Sequence, residues 1–442
     1  LIEKDVIDLK SISVKSPSIE ISHISGTKKQ EGGPTLYQKI MKQLKHLAID
    51  RITLEDGALV SHSKKNTTKL NAVSIILSHL LIDSSTQFDK DRFLFSKEAE
   101  LSAKNFVQPT SDGLYKLKIA ALNVSASNNL VSAHGVHFEP RFSKDAFQKQ
   151  IRTMQERYDI SIPSVQLHNL DWWALLNNEG LHAGSADVGD ADLSIYLDRS
   201  LPAGPPVIQN FPQQQIMNIP VPINVGQLNI GNIDLDYEEF NPKSGEKSVL
   251  KIDDIHGKVV NLTNSPEAIR KNNTTKVVAS GKLLGIPLDM NLRLDLAKYK
   301  TGVFSADLKT NGFDGTIVNK ISEPSAMFRV KRGQVNGISA HISGDNYKAS
   351  GKVLFLYENL HITPLEKDNK HPGKLEKRNF TSFLANTLVI KDDNPKKGDQ
   401  PREEDCNFTR QPNGSFFNLM WKTTFTGILK TIGAPQKLAT EK

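Results

Sequence analysis

Apolar residues recur along this chain at positions i, i+2, i+5 and i+7, the spacing of two period-2 strand segments joined through one additional residue. The pattern occurs at Ile7, Leu9, Ile12 and Val14, at Leu47, Ile49, Ile52 and Leu54, and at Leu117, Ile119, Leu122 and Val124. It returns at Val165, Leu167, Leu170 and Trp172, with smaller residues at Leu181, Ala183, Ala186 and Val188, and at Leu228, Ile230, Ile233 and Leu235. Strict alternation would throw the second half of each copy onto the opposite face. One additional residue, as in a β-bulge, keeps all four side chains on one side. Each copy therefore predicts a strand with one apolar and one wet face. The copies start at 7, 47, 117, 165, 181 and 228, too unevenly for a fixed-period solenoid or propeller, so the pattern predicts a meandering sheet with variable loops. Ile19 and Ile21 extend the first copy, as Leu193 and Ile195 extend the fifth, which hints at a duplicated half.

Helical spacing is rarer. Leu36, Ile40, Met41, Leu44 and Leu47 follow Pro34, a favoured first-turn residue, and Phe147, Ile151, Met154 and Tyr158 follow Ser143, a candidate N-cap. A short turn is expected around 172–176. Phe417, Trp421, Phe425, Ile428 and Ile432, broadened by Phe416, Met420 and Leu429, form the strongest amphipathic stripe in the chain. The expected fold is mainly β with a few helices: an elongated, curved, largely antiparallel sheet with an apolar inner groove and capping helices. Its parts are a β-rich half with two helices over 1–158, a strand-helix-strand cassette over 159–200, and a proline-rich linker or crossover over 201–222. A second β-rich half with polar loops covers 223–414, and the amphipathic C-terminal helix covers 415–432.

The 442 residues suffice for two to four domains at about 100–200 residues each, or for one large β body. Lys and Arg exceed Asp and Glu by 56 to 49, a net charge of +7. The excess is scattered over Lys28-Lys29, Lys64-Lys65, Lys374 to Arg378 and Lys396-Lys397, where nucleic-acid binding would concentrate it, so no nucleic-acid partner is expected. The lone Cys406 excludes an intrachain disulfide and any zinc site built on several cysteines. No apolar run is long enough to span a bilayer. The chain opens Leu1-Ile2-Glu3-Lys4 without Met, with a strand pattern starting almost at once, from which a removed leader or anchor is expected.

Reactive constellations are sparse. His134 and His137 lie three apart, which on a regular strand places them on opposite faces without a third ligand. Asp187, Asp190 and Asp192 lack the glycine and terminal glutamate of a calcium loop. No nucleophile elbow, phosphate loop, zinc-protease or dinucleotide motif is present, and no cofactor is expected. The candidate surfaces are apolar instead. Leu47, Ile49, Ile52, Leu54, Leu117, Ile119, Leu122, Val124, Leu228, Ile230, Ile233 and Leu235 would line a lipid groove, and Phe416, Phe417, Trp421 and Phe425 would meet a membrane or a partner.

Three stretches, Ser161 to Val165, Leu170-Asp171-Trp172-Trp173 and Leu193 to Pro202, resemble the AsmA-like envelope proteins of Gram-negative bacteria, in particular a Bacteroidetes-type branch. Tyr347 to Gly351, Leu356 to Leu360, Ala385-Asn386, Asn394-Pro395 and Ser415 to Lys422 carry the same resemblance. It implies a β-groove protein of the periplasm, tethered to the inner membrane by an N-terminal helix that this chain lacks. Its implied work is outer-membrane assembly and phospholipid movement, without catalysis, and its partners are phospholipid or another acyl-chain ligand, the envelope membranes and other envelope proteins. An extracytoplasmic structural or adhesion scaffold with a closed β core is the alternative reading of the same strands, and a surface hydrolase a further one.

Overall fold

The computed structural model describes residues 2–3, 5–22, 36–62, 67–89, 91–176, 179–242, 245–326, 328–367, 375–377, 391–434 and 439. The basic pairs at 28–29 and 64–65, and Ala385-Asn386, lie outside them. The chain is mainly β, and its strands pair mostly antiparallel. Two compact units form, one from Leu1–Ser143 with Asp159–Ala191, the other from Lys144–Tyr158 with Asp192–Lys442.

The first unit contains β1 (Ile2–Glu3), β2 (Val6–Lys15), β3 (Ser18–Ser22), α1 (Leu36–Met41), β4 (His46–His62), β5 (Thr67–Ile82) and β6 (Glu98–Pro109). These are followed by β7 (Tyr115–Ser125), β8 (Leu130–Pro140), β9 (Arg157–Leu170), α3 (Trp172–Leu176) and β10 (Leu181–Val188), with α2 (Lys144–Gln148) assigned to the other unit. From β4 to β10 each strand pairs antiparallel with the next. At the start the rule breaks, because β2 and β3 run parallel to β4. There the first two cassettes lie side by side in register, Ile7 on Leu47, Leu9 on Ile49, Ile12 on Ile52 and Val14 on Leu54. The offset of 40 residues in sequence is thus a direct neighbour relation in the sheet.

The additional residue of each cassette is absorbed differently from the expected bulge. Ile49 pairs with Leu80 and Arg51 with Ser78, which leaves Asp50 opposite His79 with no change of register. His79 has φ +54°, and Ala120 of β7 is flanked in the same way by Asn105 (φ +53°) and Gly135 (φ +59°). A left-handed residue facing an ordinary one lets both strands switch faces together, so the kinks line up and the ladder continues. The cassette of β12 (Ile223–Asn241) does show true register shifts, between Ile230 and Ile233 and again before Leu235. At Gly135 an added Cβ would sit 2.9 Å from the Ala120 Cβ. Gly135→Ala is therefore expected to lower stability by about 2 kcal/mol, read as a shift in the urea midpoint; an unchanged midpoint would contradict the kink.

The second unit continues with β11 (Ala191–Asp198), α4 (Pro212–Met217), β12, β13 (Glu246–Thr263), α5 (Pro266–Lys271), β14 (Thr274–Leu283), β15 (Ile286–Asp295) and β16 (Phe304–Thr310). After β17 (Phe313–Asp314) and α6 (Asn319–Ala326) come β18 (Phe328–Gly344), β19 (Lys348–Lys367), β20 (Leu375–Lys377), β21 (Glu403–Thr409) and α7 (Phe416–Ile432). The antiparallel ladder runs β12, β13, β14, β15, β16, β18, β19, β21. Ser415 caps α7 by accepting from the Asn418 N–H, and Gly433 ends it at φ +77°. The proline-rich stretch 201–222 is pinned to this unit. Val207 and Asn413 exchange two hydrogen bonds of 2.9 Å, and Phe211 is fully buried. Buried Arg410 donates to the carbonyls of Gln209, Asn346 and Gly414, with its guanidinium 4.4 Å from the Phe211 ring centre.

The helix expected through Phe147, Ile151, Met154 and Tyr158 stops at Gln148. Met154 instead donates its N–H to the Pro202 carbonyl, and from Arg157 the chain is strand. The helical spacing of Tyr158 was incidental, because the strand pattern of Ile160 and Ile162 pairs with β8 and fixes the backbone as extended.

Candidate functional site

The cassette spacing extends beyond the six copies found in the sequence. Ile75, Leu77, Leu80 and Ile82 carry it in β5, Leu101, Ala103, Phe106 and Gln108 in β6, Val131, Ala133, Val136 and Phe138 in β8, and Ile160, Ile162, Val165 and Leu167 in β9. Cross-strand pairing turns β6 to β9 into four rows. They are Leu101-Val124-Val131-Leu167, Ala103-Leu122-Ala133-Val165, Phe106-Ile119-Val136-Ile162 and Gln108-Leu117-Phe138-Ile160. Gln108 is the one polar member. Ala103 is the one buried member, and the rest are half-buried. The reverse face carries Ser102-Asn123-Ser132-Gln166 and Lys104-Ala121-His134-Ser164. The kink at Gly135 also returns His134 and His137 to one face, both exposed, where a regular strand would have separated them.

At its β2 to β5 end the same face is covered. Ile49 is 5% and Ile82 2% exposed, and Tyr37, Ile40 and Met41 of α1 pack over them with Leu9, Ile12, Leu47, Ile52 and Phe95. Of the residues expected to line a groove in this unit, Ile49, Leu47 and Ile52 pack into the core beneath α1, while Leu54, Leu117, Ile119, Leu122 and Val124 are half-buried outside it.

The second unit shows a gradient along one row. Leu228, Val259 and Val277 are half-buried, and their neighbours Leu292, Ala306, Ile342 and Cys406 are between 0% and 4% exposed. The cause is α7. Its Gly427 lies so near the sheet that an added Cβ would stand 2.6 Å from the Val353 side chain and 3.2 Å from that of Cys406. Ile230, Ile233 and Leu235 fall on the less covered side and are half-buried. The expected contact residues of α7 divide. Phe416 and Phe425 are buried in the core cluster, because the helix turns that arc onto the sheet, whereas Phe417 and Trp421 are 60% and 51% exposed.

Burial pushes the Cys406 thiol up to about 11. At pH 8 about one thiol in a thousand is then ionised, so a disulfide reagent is expected to label Cys406 at the rate of unfolding, with full labelling only in denaturant. Rapid labelling of the native chain would show that α7 does not seal this face. Elsewhere Glu238 bridges Lys144 at 2.6 Å and Lys247 at 3.0 Å. Burial raises its carboxyl, but the two ammonium groups outweigh that and hold it below the usual range. This is a satisfied ion cluster. Among the described residues no group of acids, histidines and cysteine is placed to hold a metal ion, and no helix is long and apolar enough to cross a membrane. The arrangement offers apolar surface and burial. Comparison with protein families, curated proteins and solved structures finds no match.

Proposed function

We propose that this chain is a non-enzymatic periplasmic protein of envelope and outer-membrane assembly that binds or conducts lipid acyl chains along its apolar strand faces, as the resemblance to AsmA-like proteins implies. The observation that supports this most is the β6 to β9 lattice, fifteen apolar side chains and one glutamine in four cross-strand rows, nearly all half-buried. A contiguous apolar face of this kind marks a ligand or interaction surface in a protein that works in water. An acyl chain covering about 200 Å² of it would gain about 5 kcal/mol at about 25 cal/mol per Å². Such binding discriminates poorly between headgroups, so the ligand is a phospholipid or another acyl-chain molecule. In this reading an N-terminal helix tethers the protein to the inner membrane, and other envelope proteins are its partners.

The scaffold reading draws on the α7 side of the second unit, where the core is closed. It does not account for the half-buried lattice. Native mass spectrometry of the chain purified from cells separates the two: copurifying phospholipid is expected, and lipid-free protein with its lattice inaccessible to apolar probes would favour the scaffold.

A further inference from the structure

The exposed part of α7 presents Phe417 and Trp421 one helical turn apart. The Trp421 ring stacks on buried Phe425 at 5.5 Å and 14°, and Phe425 stacks on Phe328 at 6.3 Å and 11°. The indole is therefore backed by the core and held rigidly at the surface. Beside it sits Lys422, half-buried and without a hydrogen-bond or ion-pair partner among the described residues. The charge that acts on it is another cation, Arg199, which is itself paired to Glu239 by two 2.9 Å contacts. Burial and that neighbour push the Lys422 ammonium below its usual range, so an anion is what the site lacks. Val207, 54% exposed, is held by Asn413 just ahead of the helix and adds apolar surface.

We propose that Phe417, Trp421 and Lys422 dock α7 on an anionic membrane surface, the two rings entering the headgroup boundary and the ammonium meeting a lipid phosphate. Rigid aromatic anchors with a flanking lysine suit that interface, where apolar burial and anionic attraction add. The proposal rests on the envelope-membrane reading of the chain, but it concerns a surface separate from the β6 to β9 lattice.

The test is flotation of the full chain with vesicles of phosphatidylcholine alone and of phosphatidylcholine mixed with phosphatidylglycerol. Binding is expected to the mixed vesicles and to weaken with salt. Trp421→Ala and Lys422→Glu should each reduce the bound fraction about tenfold, with the chain still folded by circular dichroism and undiminished copurifying lipid. Asn418→Ala, on the same exposed arc, should bind as the parent does. Equal binding to both vesicle types overturns the proposal, as do unimpaired variants or a second copy of the chain that buries Trp421 in solution. Val124→Asp, which should empty the lattice, is expected to keep its vesicle binding, so the two readings fail separately.

Discussion

Phe416→Ala is expected to lower the stability of the second unit by about 3–5 kcal/mol, while Phe417→Ala, one residue along, changes it by less than about 0.5 kcal/mol. The Phe416 ring lies 4.9 Å from Phe211 and 4.9 Å from Phe304, edge to face with both, and those two are 5.9 Å apart. All three are 4% exposed or less. Removing the central ring leaves a void bounded by the proline-rich segment, β16 and α7, and none of them can collapse into it without moving the others. Such a loss is a large part of a typical domain's 5–15 kcal/mol, so folded protein should be scarce at 37 °C. Guanidinium unfolding of both variants, followed by tryptophan fluorescence, measures the difference. Equal destabilisation would mean that α7 is seated in another orientation.

The second large effect concerns ligand binding. Val124→Asp in the lattice should yield folded protein that retains less than about a tenth of the parent's copurified lipid, and Ile230→Asp in the second unit should also stay folded and carry less lipid than the parent. Both positions are half-buried, so the carboxylate stays hydrated until an acyl chain covers it, and desolvating it then costs several kcal/mol. Ile342→Asp should behave in the opposite way. Ile342 is 0% exposed beneath α7, and an ionised carboxylate there has no water to reach, so the unit unfolds. Circular dichroism and lipid extraction on the same preparations separate the outcomes. Unfolding of all three variants would mean that the faces are closed cores.

Much of the architecture was legible in local spacing. The six cassettes named strands in both units, and the α7 stripe placed the C-terminal helix over 415–432. Other copies escaped because local composition hid them. In β5 the apolar runs 75–77 and 80–82 are continuous, so no alternation is visible, and in β6 the last position is Gln108. The aligned kinks were read as bulges because one chain cannot reveal that its neighbour turns at the same level. Coverage was the least legible feature. Nothing local distinguishes Ile49, buried beneath α1, from half-buried Ile119, or Phe416 from Phe417, since which arc of a helix meets the sheet is decided by distant residues.

Lipid contact at the lattice is what the proposed function requires. A photoactivatable benzophenone side chain placed at Leu122 or at Asn123, adjacent positions on opposite faces of β7, reads this directly in cells. Irradiation is predicted to yield a phospholipid adduct by mass spectrometry at Leu122 and none at Asn123. An absence of adduct at Leu122, or equal adducts at both positions, would contradict it.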